Sequence, residues 1–244
     1  METDMERKIL GVILARGGSK GVPRKNVRSL AGRPLIQHIF DTAKKSKYIT
    51  KLILSTEDEE IAGIGKTIGL EVPFMRPAEL ATDSATGISV IRHAMDFMGG
   101  TGFRADAVYS IQPTNPFTSI ETIDGAIRLW IDSGCDSVTT IAEVACGHQY
   151  ITRKLKENNT IENFCTIPAG ISMHSRQARE KAYYLTGALY LRSRLLIEAE
   201  NMDSHYLGND SRAVVVNEIE AIDINTPFDF ELAEWMAGRM NSNQ

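Results

Sequence analysis

The stretch from Ile9 to Asn26 reads I-L-G-V-I-L-A-R-G-G-S-K-G-V-P-R-K-N. Ile9–Ala15 is a short apolar run ended by a turn signal, the pattern of a strand buried on both faces. The following turn holds Gly17, Gly18 and Gly21 among four cations, Arg16, Lys20, Arg24 and Lys25. Glycines lack a Cβ and let backbone N–H groups converge on an anion. With cations around that turn, a triphosphate is the natural guest. The turn is neither a Walker A loop nor a dinucleotide fingerprint, because G-x-x-x-x-G-K-[ST] and G-x-G-x-x-G are both absent. Arg7 and Lys8 precede the apolar run as they would in a signal peptide. Arg16 ends it after seven residues, however, and no A-x-A-like cleavage site follows, so an internal strand is expected.

Outward from this stretch, strand and helix periodicities alternate. Pro34–Lys45 puts Leu35, Ile36, Ile39, Phe40 and Ala43 on one helical face. Lys51–Ser55 reads as a strand, Asp58–Gly69 as a helix closed by glycine, and Glu71–Phe74 as a third strand. Thr86–Met98 is a helix with Ile88, Ile91, Ala94, Met95 and Met98 inward. Ala105–Ile111 is a strand, Ile120–Ile131 a helix, and Asp136–Ile141 a strand. Strands alternating with helices of this length predict βαβ units and a three-layer, Rossmann-like α/β domain with a mostly parallel sheet. Ligands in such sheets bind beyond the carboxyl ends of the strands.

The alternation breaks from about 145 to 185, which reads as an inserted extended arm within a single domain spanning 1–244. Strands return at Tyr184–Leu191 and Val214–Ile224. Thr226-Pro227-Phe228-Asp229 starts a last helix, with Thr as N-cap and Pro at the first position. Phe228, Leu232, Trp235 and Met236 are expected on its inward face.

Composition excludes several classes. The 244 residues are 43% hydrophobic and 24% charged, ordinary for a globular chain and too long to need disulfides for a core. The net charge of −4 argues against a general nucleic-acid binder. Cys135, Cys146 and Cys165 show no C-x-x-C spacing, which disfavours a zinc ribbon and fits a reducing cytoplasm. No apolar run approaches the ~20 residues of a membrane span. The charge is unevenly placed: residues 9–40 carry six Lys or Arg and no acid, whereas 213–238 carry six acids and no Lys or Arg.

The motifs resemble those of the acylneuraminate cytidylyltransferases, the synthetases of CMP-sialic acid and of other CMP-nonulosonic acids. L-A-R-G-G-S-K-G-V-P-R-K-N (Leu14–Asn26) resembles their first signature, and Arg33-Pro34-Leu35-Ile36 follows it. Leu54–Ala62 resembles the second signature and Arg76–Asp83 the third. Gln112-Pro113-Thr114-Asn115-Pro116, Thr186–Tyr190 and Ile222–Thr226 are similar to the later ones. The resemblance runs in order along nearly the whole chain.

It implies CMP transfer from CTP to the anomeric hydroxyl of a 2-keto sugar acid, with Mg²⁺, in a cytoplasmic homodimer built through the arm. It further implies that the backbone of Arg16, Gly17, Gly18, Ser19, Lys20 and Gly21, with the Arg16 and Lys20 side chains, receives the triphosphate, that Ala15 belongs to the nucleotide site, that Lys25 and Asn26 complete the contacts, and that Arg76 lines the nucleotide pocket with the stretch from Ala81 through Asp83 to Ser84 beside it. Gln112, Arg176, Thr186 and Gly187 would meet the sugar acid. Arg16, Lys20 and Asp223 would be catalytic, and Asp223 with Asn225 would hold the metal.

Two departures stand out. Asn225 replaces a usual second Asp, and Thr186 replaces a usual Asn. Both bear on metal binding and on which acid is accepted: a sialic, legionaminic or pseudaminic type, or, as an alternative, the eight-carbon Kdo. A non-catalytic sugar-nucleotide-binding module is the alternative outside catalysis. No nucleic-acid or membrane partner is expected.

Overall fold

The computed structural model describes residues 7–168, 170, 180–199 and 206–242. The predicted first strand is β1 (Ile9–Leu14), central in a six-stranded sheet. After a two-residue hairpin, β2 (Ser29–Leu30) and β3 (Arg33–Pro34), come α1 (Leu35–Ala43), β4 (Ile49–Ser55), α2 (Glu59–Thr67), α3 (Gly87–Gly100), β5 (Ala107–Ile111), α4 (Ile120–Ser133) and β6 (Ser137–Glu143). A small hairpin follows, β7 (Arg153–Leu155) with β8 (Ile161–Asn163). The chain finishes with β9 (Tyr183–Ser193), α5 (Arg194–Glu198), β10 (Ser211–Val215) and α6 (Pro227–Ser242). The sheet order is β10-β6-β9-β5-β1-β4. All neighbours run parallel except β9, which is antiparallel to both β5 and β6.

Alternate residues of β1 serve two cores. Ile9 and Ile13 pack with Ile36, Ile39 and Phe40 of α1 and with Ile123, Ile127 and Trp130 of α4. Leu10 and Val12 pack with Ile88, Ile91, Met95 and Met98 of α3 and with Ile197 of α5. These are the expected three layers. The helix starts are capped as their sequences suggest: Asp58, Thr86 and Ser119 each accept the backbone N–H three residues on. Gly134 closes α4 in the left-handed conformation, φ 65°.

A third, smaller core lies beneath the first loop. Val22, Leu30, Leu35, Ile224, Phe230 and Ala233 pack together there. It joins the Gly-rich segment to the chain before α6, residues about 200 positions apart in sequence.

Three sequence readings need correction. Glu71–Phe74 is no strand and makes one bridge, Glu71 to Ile53, because Pro73 has no N–H to extend the ladder. The strand predicted over Val214–Ile224 stops at Val215. The Asn217 side chain accepts the N–H groups of Ile219 and Glu220, turning the chain where a ladder would have continued.

The inward face of α6 is Phe230, Ala233 and Ala237, whereas Phe228, Leu232 and Trp235 are exposed. Ala233, being small, packs beside Leu30 of β2, and Glu234 accepts the N–H of Ala31 next to it. The helix start itself is as predicted. Asp229 accepts from the N–H groups of Asn225 and Thr226, and Thr226 Oγ1 accepts from Asp229 N.

Candidate active site

The parallel strands β1 and β5 end on the same side of the sheet, and the loops after them frame a cavity of about 440 Å³. The first loop supplies Arg16, Ser19, Lys20, Gly21, Lys25 and Asn26, and Leu14 closes the floor. The segment after β5 supplies Gln112 and Thr114. Antiparallel β9 brings Gly187 and Tyr190 across the sheet, and the loop before α6 brings Asp223 and Asn225. Three cations and a carboxylate therefore converge on one concave surface.

A larger cavity of about 880 Å³ lies at the β6–β10 edge, beside Ala142, Cys146, Tyr184, Val215 and Ile219. Among the described residues no cation lines it, and none of the sequence motifs converges there. Size does not decide the site; the convergence of charged and polar groups does.

Local contacts hold the first loop in shape. Asn26, buried, donates through Nδ2 to the Arg16 carbonyl at 2.9 Å. Glu57 accepts the N–H of Gly17 at 2.7 Å. Gly17 and Gly21 have no room for a side chain: a Cβ on Gly17 would strike the Asp58 carboxylate, and one on Gly21 the Asn225 carbonyl oxygen. Gly18 faces open space. Arg24, in the left-handed region at φ 54°, turns outward to Asp58 and Glu60 and so leaves the cavity.

The loop carrying Asp223 is equally well tied. Fully buried Asn115 donates to the Ile222 carbonyl at 3.1 Å, and Ile224 N donates to the Thr114 carbonyl at 2.9 Å. Lys25 Nζ donates to the Ile224 carbonyl. Asp223 is thus presented by a buried, cross-linked loop and not by the end of the strand expected over Val214–Ile224. Its Oδ2 accepts from Asn225 Nδ2 at 2.7 Å, so the two side chains do share a face. Its Oδ1 is buried and has no hydrogen-bond partner among the described residues.

An orphaned carboxylate oxygen beside an amide that keeps its own Oδ1 as acceptor fits a hard divalent cation that retains water and substrate oxygens. Among the described residues there is no group of three or more His, Cys, Asp or Glu that could cage a metal by itself. Burial lowers the Lys25 pKa below the usual lysine value, with nearby Asp223 pulling it back up and Arg16 adding to the decrease. Burial also raises the Tyr190 pKa, partly offset by Arg192, whose guanidinium lies 4.7 Å from the ring centroid.

The cavity thus contains ten of the residues expected at the site: Arg16, Ser19, Lys20, Gly21, Lys25, Asn26, Gln112, Gly187, Asp223 and Asn225. Others lie elsewhere. Arg76 is buried behind the cavity, where Nε donates to Ser55 Oγ at 3.0 Å and Nη2 to the Ser55 carbonyl; desolvation brings its pKa down to about 10. Thr186 is buried against Thr140 of neighbouring β6, Oγ1 to Oγ1 at 2.6 Å, at the register shift between the two strands. Ala15, Gly17, Gly18, Ala81 and Asp83 are not among the lining residues, and Asp83 instead pairs with Arg16 and Lys20 at the surface. Arg176 lies outside the described residues. Leu14, Thr114 and Tyr190 line the cavity without having been singled out. Thr114 and Tyr190 stand within matched motifs, which was the available signal.

A family model described as cytidylyltransferase matches residues 10–224, most of the chain. The CMP-N,N'-diacetyllegionaminic acid synthase of Legionella pneumophila is 29% identical over 229 residues, 93% of this chain and 95% of that protein. The N-acylneuraminate cytidylyltransferase of Escherichia coli is 29% identical over 94% of this chain, which spans 52% of that longer protein. Among solved structures, a CMP:2-keto-3-deoxy-manno-octonic acid synthetase complexed with CTP superposes with a TM-score of 0.69 over 96% of this chain and 99% of its own, at 16% identity. With the fold, the order of the motifs and the matched span in agreement, this chain belongs to the cytidylyltransferase family and is a nucleotidyltransferase.

Proposed function

We propose that this protein transfers CMP from CTP to the anomeric hydroxyl of a nine-carbon 2-keto sugar acid of the sialic, legionaminic or pseudaminic type. In that reaction a bond forms from the anomeric oxygen to the α-phosphorus. The bond from that phosphorus to the bridging oxygen breaks, pyrophosphate leaves, and the hydroxyl proton passes to solvent. The observation that carries the reading is the convergence of Arg16, Lys20 and Lys25 with Asp223 and Gln112 on one cavity. The relatives' names supply the class of acid.

The protein has little covalent chemistry to do; it aligns the reactants and neutralises charge. Arg16 and Lys20 at the mouth take the outer phosphates. Lys25, held by the Ile224 carbonyl, sets its Nζ deeper in the cavity. Asn26 fixes the loop that carries all three. Gln112, after β5, offers an amide to the sugar acid, and Gly187 leaves room for it across the sheet. Asp223, with Asn225 beside it, would hold Mg²⁺, which would supply charge neutralisation at the phosphate oxygens. The arm at 145–185, with its exposed Leu155 and Ile161, is assigned to a homodimer, and Arg176 within it to the sugar carboxylate. A cytoplasmic location suits the three unpaired cysteines and the use of CTP.

The test is pyrophosphate release from CTP and Mg²⁺ with a panel of N-acetylneuraminic, legionaminic, pseudaminic and Kdo acids. Turnover with one of the nine-carbon acids is expected. Release with no acid of the panel overturns the substrate assignment, and release with other nucleoside triphosphates but not CTP overturns the cytidylyl assignment.

A further inference from the structure

We propose that Asp83 is the resident counter-anion of the phosphate cradle: it holds Arg16 and Lys20 in the free protein and must yield them to the triphosphate. The inference rests on the reading of Arg16 and Lys20 as phosphate ligands. It assigns Asp83 the opposite of the nucleotide-holding role implied by its motif.

The geometry carries the assignment. Asp83 Oδ1 lies 2.9 Å from Arg16 Nη1, and Asp83 Oδ2 lies 2.5 Å from Lys20 Nζ. One carboxylate thus spans both mouth cations with its two oxygens, as two phosphate oxygens would. The contact is not local, since 67 residues separate Asp83 from Arg16. It is made across the cavity rim by the tip of a turn. Thr82 Oγ1 donates to the Glu79 carbonyl at 3.2 Å and meets Ser84 Oγ at 3.0 Å, and Ala85 N returns to the Thr82 carbonyl. Asp83 itself projects from this turn.

The neighbouring acids are committed elsewhere. Glu57 takes the Gly17 N–H, and Asp58 and Glu60 take Arg24. Among the described residues Asp83 is the acid paired with the two mouth cations. The side chains of Asp83 and Lys20 are 54% and 78% exposed, so the pairs are weak and reversible. The two cations also hold the Asp83 carboxyl below its usual pKa, Lys20 more than Arg16, and keep it anionic.

Two consequences follow for the reaction. A triphosphate with its higher charge displaces Asp83, whereas smaller anions compete with it poorly. After transfer, Asp83 competes with pyrophosphate for the same two cations and favours its release. Asp83 acts through Arg16 and Lys20 and is a positioning residue, not a catalytic one.

The experiment is calorimetric binding of inorganic pyrophosphate and of CTP, with no sugar acid present, to the wild type, Asp83→Asn, Asp83→Ser, Asp83→Glu, Glu79→Gln and Lys20→Ala. Thermal unfolding confirms that each variant is folded. Asp83→Asn and Asp83→Ser should bind pyrophosphate at least about threefold more tightly, with product inhibition by pyrophosphate tightened in parallel. Asp83→Glu, which keeps the anion, should stay near the wild type. Glu79→Gln removes a nearby charge that pairs with neither cation and should change nothing. Unchanged or weaker pyrophosphate binding in both neutral variants overturns the counter-anion. Failure of the cradle looks different: the wild type binds neither anion and Lys20→Ala makes no difference, which overturns both readings.

Discussion

Gly21→Ala tests whether the two halves of the site depend on one another. Gly21 stands in the first loop beside Lys20, and the atom facing it is the carbonyl oxygen of Asn225, two residues beyond Asp223. Real Cβ atoms essentially never come within 3.0 Å of such a neighbour, and an alanine here would lie well inside that limit. The contact is backbone to backbone, so no side-chain rotation relieves it. One loop must retreat by roughly 1 Å, and overpacking of this kind costs about 1–3 kcal/mol of stability. Catalysis should suffer more, because a displacement of about 1 Å between reacting groups costs about 100-fold. The retreat separates Lys20 and Lys25 from Asp223 directly.

The assay is kcat/KM for pyrophosphate release under saturating Mg²⁺, with a thermal melt of the same preparation. Gly18→Ala is the internal control. Nothing lies within 4 Å of where its methyl group would stand and its φ is not positive, so its stability should stay within about 0.5 kcal/mol of the wild type. A Gly21→Ala enzyme within twofold of wild-type kcat/KM would refute the claim that this contact sets the spacing of the cradle and the carboxylate.

Other substitutions probe the remaining parts. Asp223→Ala and Lys20→Ala should each abolish measurable pyrophosphate release while circular dichroism and the melting temperature stay close to the wild type. Asp229→Ala should cost about 1 kcal/mol in urea unfolding, the usual worth of a helix cap. Burial pushes the Asp229 pKa up, but the N–H groups of Asn225 and Thr226 outweigh it and the net shift is downward. Its contribution is therefore present above the unfolded value of ~3.9 and is lost as pH falls through the lower folded value. The difference between the wild type and Asp229→Ala should accordingly shrink in acid titrations below about pH 4. On α6, Trp235→Ser should be neutral within about 0.5 kcal/mol, whereas Ala233→Leu should destabilise by about 1–3 kcal/mol. The reverse order would mean that the helix packs on its other face.

Much of the architecture was legible because it rests on local signals. β1, α1, α3 and α4 have unbroken periodicities, and Asp58, Thr86 and Ser119 mark helix starts that the side chains do cap. What escaped depends on contacts distant in sequence. β9 reads as an ordinary strand, and only its pairing with β5 and β6 shows it to be antiparallel. The apolar residues of α6 form two candidate stripes. Phe228, Leu232 and Trp235 are the bulkier, yet Phe230, Ala233 and Ala237 are buried, with Phe230 and the small Ala233 packed against Leu30 of β2.

At the site, the types of residue were dictated locally and their partners were not. Strand, glycines and cations between Ile9 and Asn26 predict a turn suited to an anion, because glycines leave backbone N–H groups accessible and no acid stands among the cations. The motif order further specified the family. Spacing could not say that Asp223 reaches the cavity from a turn held by Asn115 and Lys25, or that Thr186 faces Thr140 and Arg76 faces Ser55. Nor could it show Asp83 lying across Arg16 and Lys20. Backbone propensity and burial period act over a few residues and are written in the chain. Charge pairing and close backbone approach depend on distances between segments tens to hundreds of residues apart, and those distances exist only once the three cores have packed.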